Sequence, residues 1–239
     1  LHKSSHSFPT RRSSDLGVIH RDIKPSNILV GKADGKPLPK VIDFGIARAT
    51  RPIPNGVKAR PLCEQTIGTP VYMSPEQAAG SMDVDTRCDV YALGALLFEL
   101  LTGQTPFDQE KLCCDPPEEM RRVICEGAHP KPSEVISRMP KEAAVALTLR
   151  QQSTPAALIS ALREDLDWVV MKAMQKDRNL RYETANGLAM DVRRYLMSDP
   201  LEAHPRNRIY RLRKLVNRNR LVYTTGTLVA VALLVGISV

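Results

Sequence analysis

The stretch His20-Arg21-Asp22-Ile23-Lys24-Pro25-Ser26-Asn27 decides how the rest of this 239-residue chain is read. It places an acid, a cation and an amide within eight residues, and the apolar run Ile28-Leu29-Val30 follows at once. After the turn-rich break GKADGKPLPK come Val41-Ile42 and then Asp43-Phe44-Gly45, with Asp43 sixteen residues beyond Asn27. Two short β-rich runs separated by Gly and Pro signals predict a hairpin. Such a hairpin brings the two polar clusters to matched ends of adjacent strands. That juxtaposition suits phosphoryl transfer, which needs a carboxylate to take the proton of an attacking hydroxyl, oxygen ligands for Mg²⁺ and a cation on the moving group. Asp22 is the candidate base and Lys24 the cation. Asn27 and Asp43 carry the hard oxygen donors that Mg²⁺ prefers.

A lone H-R-D tripeptide is weak evidence, because short charged runs are common in solvated loops. H-R-D-x-K-x-x-N followed by D-F-G between strand-like runs is far more specific. Further landmarks arrive in order: Gly68-Thr69-Pro70-Val71-Tyr72-Met73-Ser74-Pro75-Glu76, then Asp89 opening D-V-Y-A-L-G, then Arg181 in KDRNLRYETA. On these motifs, residues 17–197 resemble the catalytic core of a protein kinase, specifically a bacterial Ser/Thr kinase of the eukaryotic-like type. The resemblance implies an α+β, protein-kinase-like fold of which only the mostly helical C-terminal lobe is present, the N-terminal lobe being absent. It implies ATP and Mg²⁺ as cofactors and proteins with Ser or Thr hydroxyls as substrates.

The same resemblance assigns roles residue by residue. Asp22, Lys24, Arg21 and Thr69 are the expected catalytic group, with Lys24 marking the serine/threonine type of loop and Thr69 touching Asp22 and Lys24. Lys24, Asn27 and Asp43 are expected to hold the nucleotide, Asn27 and Asp43 through the metal. His20, Phe44, Gly45, Glu76, Asp89 and Arg181 are expected to be structural. Asp89 would brace the catalytic loop and Arg181 would pair with Glu76, while Ser74 stands where Ala is usual. Arg21 directly before Asp22 implies control by phosphorylation, with Thr66 the preferred phosphosite. A phosphothreonine carries about −1.5 to −2 charges and would pair with that arginine. The alternative for Thr66 is a plain solvated loop residue.

No part of the sequence resembles a G-x-G-x-x-G-x-V phosphate-covering loop, a V-A-I-K strand lysine or its partner glutamate. The fragment is therefore expected to be inactive by itself. A non-catalytic half-kinase scaffold at the membrane is the competing reading, although a scaffold has no need of Asp22, Lys24, Asn27 and Asp43 together. A small-molecule phosphotransferase shares the acid and amide logic, but the G-T-P-x-Y-M-S-P-E segment argues for a peptide acceptor.

The formal charge of +8 sits at the ends. Residues 1–16 carry Lys3, Arg11 and Arg12 against Asp15, and residues 204–220 carry seven basic residues and no acid. The body between holds 24 Lys and Arg against 25 Asp and Glu, so no nucleic-acid partner is expected. Five cysteines without a C-x-x-C pair argue against a disulfide or zinc framework and for reduced thiols. Residues 1–16 lack any apolar period. A transit peptide and a disordered tail both fit them, but SFPTRRSSDL (7–16) resembles a translated sequencing adapter. The segment is accordingly expected to be non-native, with the native chain continuing upstream of Gly17.

Residues 198–220 read as a basic juxtamembrane linker, and 221–239 as a transmembrane helix, itself cut short. LVYTTGTLVAVALLVGISV is uncharged, and as a helix it measures about 28 Å, close to a bilayer core of roughly 30 Å. A buried core helix is the alternative. Basic residues before the run place the lobe on the cytoplasmic side of a single-pass inner-membrane protein and attract anionic lipid. A homodimer stays open as an assembly. In the body, Val90, Leu93, Leu96, Leu97, Leu100 and Leu101 predict a buried helix over 86–102, ended by Gly103. Leu166, Val169, Val170, Ala173 and Met174, with Trp168 beside them, predict a second, and 184–196 a third. The Pro-rich stretch 109–164, with adjacent Cys113 and Cys114, reads as an irregular surface insertion.

Overall fold

A computed structural model describes residues 19–43, 70–150, 153–205 and 208–218. A single 3-10 turn at Pro25–Asn27 feeds strand β1 (Ile28–Ala33), which pairs antiparallel with β2 (Lys36–Val41) from Ile28↔Val41 to Ala33↔Lys36. The predicted hairpin is present, but the break GKADGKPLPK is mostly strand. Only Asp34 and Gly35 make the connection, with φ of 51° and 75°. Positive φ at both central residues is the I′ geometry that Asp-Gly favours and that matches strand twist. Pro37 and Pro39 are tolerated for a reason visible in the ladder. The Ile42 amide donates to the Asn27 carbonyl at 2.9 Å, and counting by twos puts both prolines in non-hydrogen-bonded pairs. A missing N–H costs no ladder bond there.

The remaining elements are helices: α1 (Pro75–Ala78), α2 (Arg87–Thr102), α3 (Gln109–Cys114), α4 (Pro117–Glu126), α5 (Pro132–Arg138), α6 (Lys141–Arg150), α7 (Pro155–Ala161), α8 (Asp167–Ala173), α9 (Ala185–Leu196) and α10 (Arg208–Arg218). The expected central helix is α2, closed by Gly103 in the left-handed region at φ 71° as anticipated. On one side Tyr91, Ala92, Ala95 and Phe98 are buried with Val71, Ile124, Val170 and Met174 from other segments, while Val90 packs with Val169, Ala173 and Tyr182. Each fully buried large side chain of this kind contributes roughly 1.5–3 kcal/mol. Leu100, expected in the core, is instead 67% exposed. Small residues do part of the work assigned to leucines: an ideal Cβ on Gly94 would lie 2.8 Å from the Ala173 Cβ, so α2 and α8 touch backbone to backbone there.

The second and third predicted helices are α8 and α9, the latter capped by Thr184, whose hydroxyl accepts from the Gly187 amide. A five-residue π-helical turn, Leu162–Leu166, runs directly into α8. The reading of 109–164 as an irregular surface insertion is corrected. The stretch forms α3 to α7 and sends Leu112, Met120, Ile124, Ile136, Leu158 and Leu162 into the core. Its prolines had suggested loops, but Pro117, Pro132 and Pro155 each sit in a helical first turn, where the missing N–H would have no partner anyway. Cys113 and Cys114 are exposed at the end of α3.

Buried carboxylates stitch these helices together. Asp167 accepts the Ser133 amide at 3.0 Å and its hydroxyl at 2.6 Å. Asp191 takes the Tyr182 hydroxyl at 2.9 Å, Arg194 at 2.7 Å and the amides of Glu202 and Ala203, both at 2.8 Å. Burial alone would raise the Asp191 carboxyl, but these donors outweigh it and hold the group below its ordinary value. Among the described residues no helix is long and apolar enough to cross a membrane. The runs 1–16 and 221–239 lie outside the described residues.

Candidate active site

Asp89, in the first turn of α2, organises the loop that precedes β1. Its carboxylate accepts the consecutive amides of His20 and Arg21, each at 2.8 Å, while Cys88 offers its thiol at 3.7 Å. A loop amide pair captured by one carboxylate cannot swing, and Arg21 is fixed in the left-handed region at φ 67°. That conformation is uncommon for a side chain this large and is held by its surroundings. Buried His20 carries the brace across to the strands. Its Nδ1 accepts from the Asp22 amide at 3.3 Å, which leaves Nε2 to donate to the Ile42 carbonyl at 3.1 Å.

Asp22 therefore emerges with a fixed backbone and a part-exposed carboxylate. Lys24 Nζ lies 2.9 Å from its Oδ2. Buried Asn27 donates its amide to the Asp22 carbonyl at 2.8 Å and to the same Oδ2 at 3.1 Å. Both donations use Nδ2, which leaves the Asn27 side-chain oxygen as the group to present to a cation. Asp43 follows Ile42, whose amide bonds Asn27, so the strand register brings Asp43 to the Asn27 end of the hairpin as expected. Asp43 is exposed and stands at φ 60°. An amide oxygen plus one solvated carboxylate is the sparse donor set that suits Mg²⁺, which keeps several waters and takes few protein ligands. Among the described residues no group of three or more His, Cys, Asp or Glu is placed so that it could hold a metal ion.

Glu76 and Arg181, 105 residues apart in sequence, meet in a bidentate pair at 2.7 and 2.8 Å. The guanidinium is fully buried and also donates to the carbonyls of Gln175 (2.7 Å), Arg87 (3.0 Å) and Lys176 (3.1 Å), with the Tyr91 ring 5.1 Å away. Burial pushes the Glu76 carboxyl up, but the hydrogen bonds and charge of Arg181 more than offset this and leave it below its ordinary value. Ser74 has a reason to replace Ala. It caps α1, its hydroxyl accepting the Gln77 amide at 3.4 Å while the Gln77 side-chain oxygen accepts the Ser74 amide at 3.1 Å.

The sequence did not point to Gln77 as a bridge. Its Nε2 donates to the Arg21 carbonyl at 2.8 Å, fastening the segment around Glu76 directly to the catalytic loop. The Ser-Pro-Glu-Gln pattern signals the cap but not this longer reach. Tyr72 was missed too: its hydroxyl bonds Glu99 on α2, and burial pushes the phenol far above its ordinary range. The structure thus brings together His20, Arg21, Asp22, Lys24, Asn27, Asp43 and Asp89, with Glu76 and Arg181 as a second centre linked through Gln77. Phe44, Gly45, Thr66 and Thr69 lie outside the described residues.

The family described as "Protein kinase domain" matches residues 14–192. The serine/threonine-protein kinase PknB of Mycobacterium tuberculosis is 36% identical over 191 residues, which is 80% of this chain and 25% of that protein. A probable serine/threonine-protein kinase of Corynebacterium efficiens is 39% identical over 180 residues, 75% of this chain and 23% of its own length. The chain thus spans about a quarter of the curated relatives it matches. A crystal structure of the M. tuberculosis PknI kinase domain aligns with 77% of this chain and 49% of that one, at 21% identity and a TM-score of 0.43.

Proposed function

This chain belongs to the protein kinase family, and on that premise we propose that it carries the phosphoryl-transfer half of a Ser/Thr protein kinase that uses ATP and Mg²⁺. The observation that carries the proposal is the hold on Asp22, whose carboxylate is kept in place by Lys24 at 2.9 Å and Asn27 at 3.1 Å, both on Oδ2. Oδ1 is then the atom to accept the proton of a serine or threonine hydroxyl. General-base assistance of this kind contributes typically about 10²–10⁴-fold. Lys24 orients the Asp22 carboxylate and offers a positive charge to the moving phosphoryl group. Asn27 through its side-chain oxygen and Asp43 through its carboxylate would hold Mg²⁺, which when bound neutralises charge on the phosphates. Asp89 and His20 act earlier, by fixing the loop so that Asp22 needs no reorganisation.

Nucleotide binding further requires a phosphate-covering loop and a strand lysine, which these 239 residues do not contain. Activity is therefore assigned to the lobe together with such a partner lobe, and the isolated 239 residues are proposed to be inactive. We further assign 221–239 as a single membrane span with the lobe on the cytoplasmic side, on its uncharged length and the basic residues before it. The test is Asp22→Asn in this lobe completed by such a partner lobe. Labelled phosphate transfer from ATP to a Ser/Thr-bearing acceptor protein should fall by at least about 10²-fold with the circular dichroism unchanged. Transfer within a factor of two or three of the unsubstituted protein would remove Asp22 as the base. No transfer by either version would favour the scaffold reading.

A further inference from the structure

Helix α10 is amphipathic in an unusual sense: it has a docked face and a second, outward apolar face. The docked face is Tyr210 and Lys214, one turn apart and both buried. The Tyr210 hydroxyl donates to Asp165 Oδ1 at 2.7 Å, and Lys214 Nζ pairs with Oδ2 of the same buried carboxylate. Tyr210 also stacks on His204 with ring centroids 3.8 Å apart, and His204 lies against Trp168 at 5.1 Å. Two donors on one carboxylate, on side chains four residues apart, fix the roll of the helix about its axis. What points outward is therefore set by the lobe.

Outward lie Ile209 and Leu212, three residues apart and 75% and 60% exposed. At 100° per residue, exposed Arg211 and Arg213 fall to either side of Leu212. Arg213 also lines a cleft of about 590 Å³ with Arg163, Glu164, Ser137 and Ser160, at the π-helical turn. Glu164 stands 3.8 Å from Arg213, too far to quench it by a short hydrogen bond. Arg163 carries the cationic rim from the helix onto the lobe.

We propose that this outer face of α10, with Arg163, docks on an anionic phospholipid bilayer. Ile209 and Leu212 enter the boundary between headgroups and acyl chains, and Arg211, Arg213 and Arg163 engage lipid phosphates. Two observations select a bilayer over other occupants. Arginines flanking a narrow apolar strip are the pattern of helices that lie in a membrane interface. The uncharged run 221–239 starts three residues after α10 ends at Arg218, so the helix is delivered to a bilayer surface if that run enters one. The inference builds on the membrane span proposed above, but the two can fail separately.

The experiment uses the full chain in mild detergent, diluted into vesicles of phosphatidylcholine alone or with one third phosphatidylglycerol. Flotation reads insertion, and hydrogen exchange over 208–218 reads docking of α10. Flotation with both vesicles, with exchange slowed on the order of tenfold only when phosphatidylglycerol is present, supports both proposals. Flotation with both and equal exchange in the two would overturn the docking surface and keep the span. Flotation with phosphatidylglycerol alone, with slowed exchange, supports the surface and overturns the span, and flotation with neither overturns both. Slowing that depends on protein concentration without lipid would mean that a second copy covers the face, which overturns the bilayer. Ile209→Glu with Leu212→Glu should abolish the lipid-dependent slowing while the Trp168 fluorescence of the docked helix is kept.

Discussion

Replacing Arg181 by Met tests whether the Glu76 pair is a working element of the fold. The substitution keeps most of the side-chain volume and removes every donor. It leaves the Glu76 carboxylate, whose side chain is only 12% exposed, without its counter-charge and strips the carbonyls of Gln175, Lys176 and Arg87 of a partner. Breaking a buried pair by removing one member costs about 3–5 kcal/mol, a large share of the 5–15 kcal/mol typical of a whole domain. Glu76→Gln keeps an acceptor and loses the charge, so it should cost less, about 2 kcal/mol. Urea titration at pH 7 gives both values, and the double variant should be less unstable than the sum, with a coupling of about 1–3 kcal/mol.

The pH dependence supplies an independent check on the same pair. Because Glu76 is depressed below its ordinary 4.5 in the fold, the stability it contributes is full above that value and is lost as pH falls toward the lower folded one. The gap between the Arg181→Met variant and the unsubstituted chain should therefore narrow in acid. A cost under about 1 kcal/mol at pH 7, the size expected of a solvated surface pair, or a gap that stays constant down to pH 3, would refute the reasoning.

Ser74→Ala removes the cap on α1 and should cost about 1 kcal/mol by urea titration, while loosening the hold of Gln77 on the Arg21 carbonyl. Gly94→Ala pushes a methyl to within 2.8 Å of the Ala173 Cβ, so a loss of about 1–3 kcal/mol is expected and one near zero would mean that α2 and α8 separate easily. Lys176 is the clearest titration probe. Burial lowers its amine from 10.5 to about 8, so the fold sheds that proton before the unfolded chain does and stability should rise with pH between those values. Lys176→Met should abolish that rise, and an unchanged slope would assign it elsewhere.

The local motifs were legible because their chemistry is confined to short spacings. His20 to Asn27 is eight residues, and the loop and the strand that follows it are set by neighbours in sequence. The pairings of Asp89 with the loop and of Glu76 with Arg181 were reachable only through the family resemblance, since 68 to 105 residues separate the partners. What stayed hidden was of two kinds. Prolines 117, 132 and 155 mimic loop signals although each opens a helix, and only the burial of Ile124, Leu158 and their neighbours shows that 109–164 belongs to the core. Carboxylates that bond distant amides or hydroxyls, as Asp165, Asp167 and Asp191 do, look like any surface acid in a sequence. Leu100 errs the other way: a leucine in an apolar helix that faces out.

The carboxylates of Asp165 and Asp191 also say where this domain stops. The family match ends at residue 192, yet Asp191 is completed by the amides of Glu202 and Ala203, and Asp165 by Tyr210 and Lys214. A chain trimmed to the matched region would retain two buried negative charges and discard most of the groups that neutralise or solvate them. The packed lobe thus outruns the recognisable motif by at least one helix. With a partner lobe supplied, loss of activity on cutting before residue 214 would report damage to this lobe as readily as the removal of a regulatory tail.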